Sequence, residues 1–313
     1  MGELKFQNRR DFIRYTLGAA ALAGGLDVQG VNSLLRDKGF SKLTILYTND
    51  QHSRIEPFPE NDPKYPGEGG FAKRAALIEK IRNENEEVLL LDAGDIFQGT
   101  PYFNYFSGEV EYKLMSIMKY DAVTFGNHDF DLGSENILKQ MKHASFDFIN
   151  CNYDFKDSAL AKNKKIFPYK IYRKGKLKIG ILGIGIDLEN LVDKKYTEGV
   201  KYNDPVTNAN KWAAVLKHDE KCDYVICLSH LGYKYNDSKI SDVSFASQTK
   251  NIDLIIGGHT HTFLDKPDVV KNCDNGEVQI TQVGWAGIWL GKIDIEFTSY
   301  SQKILQSSAA HKI

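Results

Sequence analysis

Apolar residues recur along this chain with two alternating periods. Short apolar runs read as buried strands: Leu43–Thr48, Val88–Asp92, Asp121–Phe125, Phe146–Asn150, Lys178–Ile184, Tyr224–Ser229 and Asp253–Ile256. Between them the apolar positions move to helical spacing. Phe71, Ala75, Ile78 and Ile81 predict an amphipathic helix over 71–84. Val110, Leu114, Ile117 and Met118 mark a second that ends before Tyr120, and Gly133-Ser134 opens a third through His143. Asp204-Pro205 starts a fourth through Lys217, since proline is tolerated at the first helical position. Two β-rich runs, Glu277–Val283 and Ile288–Phe297, flank Gly284-Trp285-Ala286-Gly287. Alternating strands and helices predict an α/β layer structure. Segment 53–70 carries four prolines and three glycines and predicts a long loop. No linker divides residues 42–297, which read as one domain; residues 298–313 are polar and read as a partly ordered C-terminal tail.

Composition narrows the partners. The 313 residues are 42% hydrophobic and 26% charged, and the net charge is -1. With no basic stripe, a grip on a nucleic-acid polymer is not expected. Residues 1–41 read as a signal and linker. Asn8-Arg9-Arg10-Asp11-Phe12-Ile13-Arg14 precedes an apolar run from Tyr15 to Leu26, with Ala21-Leu22-Ala23 as a cleavage site. This layout resembles a twin-arginine export signal and predicts a periplasmic or secreted protein. The run is shorter than the roughly 20 residues that span a bilayer, and no membrane span is expected in the mature chain. The four cysteines form no Cys-x-x-Cys pair, which argues against a zinc–thiolate site and for free thiols.

Five of the eight histidines fall in short polar motifs, and each motif follows an apolar strand. These are Asp50-Gln51-His52, Gly94-Asp95, Gly126-Asn127-His128-Asp129, His230, and Gly258-His259-Thr260-His261. In open α/β sheets ligands bind outside the carboxyl ends of the strands, so five motifs at five strand ends can converge. A lone His-x-His or Gly-Asp is often only a hydrogen-bonded pair or a turn. Together they offer the mixed oxygen and nitrogen donors that suit two divalent ions, with Zn, Mn and Fe all compatible. Such a centre supplies hydroxide at neutral pH and positive charge for an anionic substrate.

With Thr48-Asn49-Asp50, Gly94-Asp95-Ile96-Phe97-Gln98-Gly99-Thr100 and Gly126-Asn127-His128-Asp129-Phe130-Asp131, residues 42–297 resemble the N-terminal catalytic domain of 5′-nucleotidases, within the calcineurin-like metallophosphoesterase superfamily. The resemblance implies a four-layer α-β-β-α sandwich, two mixed sheets flanked by helices. It implies that Asp50, His52 and His261 hold one metal, that Asn127, His230 and His259 hold another, and that Asp95 bridges them. Hydroxide between ions about 3.5–4 Å apart would attack phosphorus in line with the leaving oxygen. His128 would contact the phosphate and stabilise the transition state or protonate the leaving group, and Asp131 would orient it and keep it cationic.

Three positions depart from the family pattern: Asp129 where Glu is common, Ser53 where Gly often follows, and His261 where Gln or Asn is common in close members. Asp92 reads equally as a partner behind the metal ligands or as a buried structural acid. His143, His218 and His311 read as surface or helix-end residues, and Trp285 and Trp289 as core. Full-length 5′-nucleotidases carry a second domain that holds the nucleoside, and the sequence after Phe297 is too short to supply it. The leading expectation is therefore an exported phosphomonoesterase for nucleotides or related small phosphate esters. The alternatives are a 2′,3′-cyclic nucleotide phosphodiesterase and the catalytic subunit of a split nucleotidase, completed by a separate nucleotide-binding C-terminal-domain protein.

Overall fold

The computed structural model describes residues 41–297 and 303–313; the candidate export signal lies outside the described residues. Strand β1 (Ser41–Thr48) leads through the long loop to helix α1 (Phe71–Glu84), β2 (Val88–Asp92), α2 (Pro101–Phe106) and α3 (Glu109–Ile117). Then come β3 (Ala122–Val123), α4 (Gly133–Gln140), β4 (Asp147–Ile149), β5 (Tyr153–Asp154), β6 (Ile166–Phe167), β7 (Tyr169–Lys174), β8 (Leu177–Ile184) and β9 (Lys201–Tyr202). Helix α5 (Pro205–Ala214) runs into a wider turn, Val215–Asp219; β10 (Tyr224–Ser229), α6 (Asp242–Ala246), β11 (Leu254–Ile256), β12 (Asp268–Lys271), β13 (Glu277–Thr281), β14 (Trp289–Phe297) and β15 (Lys303–Lys312) follow.

The strands form two main sheets, ordered β15-β14-β1-β2-β3-β4-β6 and β12-β13-β11-β10-β8-β7. In the first, β1, β2, β3, β4 and β6 are parallel while β14 and β15 are antiparallel; in the second, β8, β10, β11 and β13 are parallel between antiparallel edges. Alternation along each strand sorts the side chains. Leu43, Ile45 and Tyr47 of β1 meet Ile179, Ile181, Ile226 and Ile256 of the other sheet in one apolar layer. Leu46, Val88 and Leu90 face outward onto Ile78 and Ile81 of α1, Met115 of α3 and Ile137 of α4. On the far side Leu182, Val225 and Cys227 pack on Ala209 and Ala213 of α5 and Phe245 of α6. Three apolar layers between four structural layers give the expected α-β-β-α sandwich, with strands buried on both faces.

The tail is the clearest correction. Residues 303–312 pair with β14 along its length and extend the larger sheet. Ile313 donates its N–H to Ile288 and accepts from the N–H of Gly69 in the long loop. An edge strand with one wet face needs no apolar alternation, so its polar composition concealed it. The strand expected over 121–125 shortens to Ala122–Val123, because the chain leaves the sheet at Thr124 to build a site loop. All four cysteines are free, and no helix among the described residues is long and apolar enough to cross a membrane.

Candidate metal centre

The five motifs leave the carboxyl ends of β1, β2, β3, β10 and β11, so both sheets contribute to one site. Their backbones are unusual. Asp50, His52, Asp95, His259 and His261 all have positive φ, between 47° and 72°. Non-glycine residues rarely adopt this region, and strain of this kind persists only where the surroundings fix it. Gly94 (φ 90°) and Gly126 pack backbone to backbone, and a Cβ on Gly126 would land on the Asp95 carboxylate.

Buried polar side chains hold these loops in place. The Asp129 carboxylate accepts N–H groups from Gly126 (2.8 Å), Ile96 (3.1 Å), Asp95 (3.2 Å) and Phe97 (3.3 Å), which ties the second motif to the third. Asp92 accepts from Thr48 Oγ1 (2.6 Å), Gln51 Nε2 (2.8 Å) and Gly94 N (2.9 Å). Gln51 in turn accepts from the fully buried Arg74 at 2.5 Å. Gln282 donates to the Gly258 carbonyl at 2.6 Å and accepts from the Thr262 N–H, bracketing the His259–His261 turn. Burial pushes the Asp92 and Asp129 carboxyls up to about 7, with neighbouring Asp95 adding to the effect on Asp129.

Within this frame the expected ligands gather in two groups. In one, His52 Nε2 lies 3.0 Å from His261 Nε2, which is 3.4 Å from Asp50 Oδ1. In the other, His230 Nε2 lies 3.1 Å from Asp95 Oδ2, and His259 Nδ1 is 2.8 Å from Asn127 Oδ1. Each histidine–carboxylate group has donor atoms within 4.8 Å of one another. Asp95 Oδ2 is also 3.9 Å from His52 Nε2, so this carboxylate stands between the groups. Both Asp50 oxygens accept the His259 N–H at 3.0 Å. His128 stands beside the groups: its backbone N–H donates to Asp95 Oδ1, and its ring Nδ1 is 2.8 Å from Asp131 Oδ2.

The family model of calcineurin-like phosphoesterases matches residues 43–263 of this chain. The chain belongs to the calcineurin-like phosphoesterase family. It is 34% identical to a snake venom 5′-nucleotidase of Crotalus adamanteus, over 86% of this chain and 47% of the relative. It is also 34% identical to a 5′-nucleotidase of Vibrio cholerae, over 82% of this chain and 49% of that one. Among solved structures, a 5′-nucleotidase precursor of Thermus thermophilus superposes with a TM-score of 0.79 and 28% identity, covering 87% of this chain and 55% of the other. The chain thus spans about half the length of these relatives.

The family uses divalent metals, and this phosphoesterase has the chemistry to hold them. His230 Nδ1 can only donate to the Ala93 carbonyl, 2.7 Å away, so the neutral ring presents the lone pair of Nε2 to the site. Among the described residues that buried Nε2, despite Asp95 nearby, lacks an aligned hydrogen bond, as does the buried Nδ1 of His52. Without cations the acids impose protons instead. Burial opposes charge on His230, but Asp95 and Asp50 outweigh it and raise the ring to about 10. Burial pushes the Asp95 carboxyl up, while His230 and His52 together bring it well below the ordinary range. His259, buried and facing His230, falls to about 4. A divalent ion can replace these protons.

Several contributors were not legible as site residues. Trp285, read as core, lies flat on His261, with ring centroids 5.6 Å apart and planes 8° apart. Asn49 adjoins the first motif and Gln51 lies within it, so their place near the site could have been inferred. Arg74 and Gln282 carry no such signal.

Proposed function

We propose that this chain hydrolyses phosphate monoesters of nucleotides or related small molecules, using two divalent cations. The observation that carries this reading is the position of Asp95, whose carboxylate stands between two histidine–carboxylate groups, each with its donors drawn together. Asp50, His52 and His261 would hold one cation, and Asn127, His230 and His259 the other, with Asp95 shared. Bound there, the ions would supply Lewis acidity and an activated water. His128 touches neither cation in this reading. Its imidazolium would hydrogen-bond a phosphate oxygen and pass a proton to the leaving oxygen, while Asp131 fixes the ring and its charge. Asp50 and Asp95 would offset much of the cations' charge and leave a net pull on the phosphate.

Substrate choice is a separate element of the proposal. Helix α2 directly follows the Gly94–Thr100 loop and exposes Tyr105 (81%) and Phe106 (48%). Exposed aromatics beside a site loop support the second reading, in which a separate nucleotide-binding chain completes specificity. Export by a twin-arginine route to the periplasm or beyond rests on residues 8–26 alone.

A substrate panel tests the reading. The full chain, reconstituted with Mn or Zn, should release phosphate from nucleoside monophosphates and an aryl phosphate. A preference for 2′,3′-cyclic nucleotides would replace the monoesterase assignment with the diesterase one. Strong base selectivity by the isolated chain would remove the need for a partner.

A further inference from the structure

The candidate ligands are not equally held. The side chains of Asp50 and His230 are fully buried and those of Asp95 and His52 nearly so, yet that of His261 is 39% exposed. Histidines that bind metals usually fix their ring by donating the second N–H to an acceptor. His230 does this through Ala93; His52 Nδ1 has no such acceptor among the described residues, but its ring is almost fully buried. His261 has no hydrogen bond at Nδ1 among the described residues; its Nε2 meets only His52 and Asp50. What it has instead is Trp285, whose ring runs nearly parallel to it at a centroid distance of 5.6 Å and meets His52 only edgewise at 6.5 Å.

Trp285 is itself well fixed. Phe58 and Tyr65 stand edgewise to it, at centroid distances of 5.8 and 6.3 Å. Its backbone is pinned on both sides: Gly284 accepts from Asn49 Nδ2 at 2.6 Å, and Ala286 donates to Asp50 at 2.7 Å. The indole plate is therefore tied to the backbone of Asp50, a candidate ligand in the same group as His261. Its π face is electron-rich, so a stacked imidazole is held more strongly as it gains positive charge.

We propose that Trp285 is the positioning residue for His261, taking by stacking the orienting role that a hydrogen-bond acceptor takes for His230. It thereby strengthens cation binding by the Asp50–His52–His261 group and not by the Asp95–His230–His259 group. The inference rests on the metal reading above.

The test is calorimetric titration of Mn into chelator-stripped full-length protein, paired with tryptophan emission. Wild type should bind two equivalents. Trp285→Ala should weaken one of the two sites about 10- to 100-fold and leave the other within about twofold, the size seen for lost ring-orienting partners. Trp285→Phe should restore most of the affinity and remove most of the metal-induced emission change, since Trp212 and Trp289 lie outside the stack. In a His261→Ala background neither Trp285 variant should cause further loss. Unchanged affinity in Trp285→Ala, equal loss at both sites, or a loss that persists without His261 would overturn the role of Trp285 alone. If Trp285→Ala does not fold, Trp285→Leu, which fills space without an aromatic face, decides in the two backgrounds by the same criteria. Wild-type protein that binds no Mn would overturn the metal reading itself.

Discussion

His128 and Asp131 form a pair at the edge of the centre, with Nδ1 2.8 Å from Oδ2, three residues apart on one turn. The Asp131 hydrogen bond raises the His128 pKa above its ordinary value, against a smaller opposing effect of burial. The imidazolium therefore survives to higher pH than a free histidine. The sign follows: stabilisation by the pair is complete below the ordinary value of about 6.5 and fades as pH rises through the raised one. Asp131→Asn should move the basic limb of the kcat profile to lower pH, and His128→Ala should lower kcat by about 10²- to 10⁴-fold. Metal content should be unchanged in both. A basic limb that stays in place in Asp131→Asn would separate this pair from proton transfer.

Asp129 anchors the frame. Its carboxylate is the acceptor for four backbone N–H groups, and it is almost fully buried. Asp129→Ala leaves those donors without their acceptor and should destabilise the fold by at least about 2 kcal/mol. Urea unfolding measures this directly. The same variant should bind metal more weakly, because the Asp95 loop loses its tie to the Gly126 loop.

Gly126 admits no side chain. A methyl group there would meet Asp95 and His230 together. Gly126→Ala should displace the shared carboxylate and remove most metal binding while secondary structure persists, as read by metal analysis and circular dichroism. Wild-type metal content in this variant would contradict the geometry assigned to Asp95.

How much of this was legible in the sequence follows from the physics of each residue. The seven candidate ligands, His128 and Asp131 stand next to apolar strands, and strand ends are where an α/β sheet gathers its chemistry. The helix over 71–84 was visible in its spacing because one face alone is buried. β15 was not, because an edge strand with a wet face has no apolar code. Short edge pieces such as β12 failed for the same reason. Trp285 does pack on a small apolar cluster with Phe58, Ala286 and Ile288, as read, but only the fold brings 285 beside 261. Gln282 acts at a distance of more than 20 residues from the turn it holds, which local pattern cannot reveal.

Cation removal should cost stability as well as activity. Buried Asp50 and Asp95 face His52 and His230, and among the described residues His230 Nε2 lacks an aligned hydrogen-bond partner. A ligand present at about 1,000 times its Kd stabilises the native state by about 4 kcal/mol. Thermal unfolding of the full chain with saturating Mn should therefore lie several degrees above that of the chelated protein. Coincident transitions would argue against tight binding at this centre.

The most direct test of the central claim joins metal stoichiometry to phosphate release in wild type and Asn127→Ala. Wild type should hold two divalent ions and hydrolyse a nucleoside monophosphate, lose that activity on chelation, and regain it with Mn or Zn. Asn127→Ala should stay folded and lose activity by about 100-fold or more. Phosphate release at the wild-type rate by the chelated protein or by Asn127→Ala would contradict a metal-dependent phosphoesterase centre at these residues.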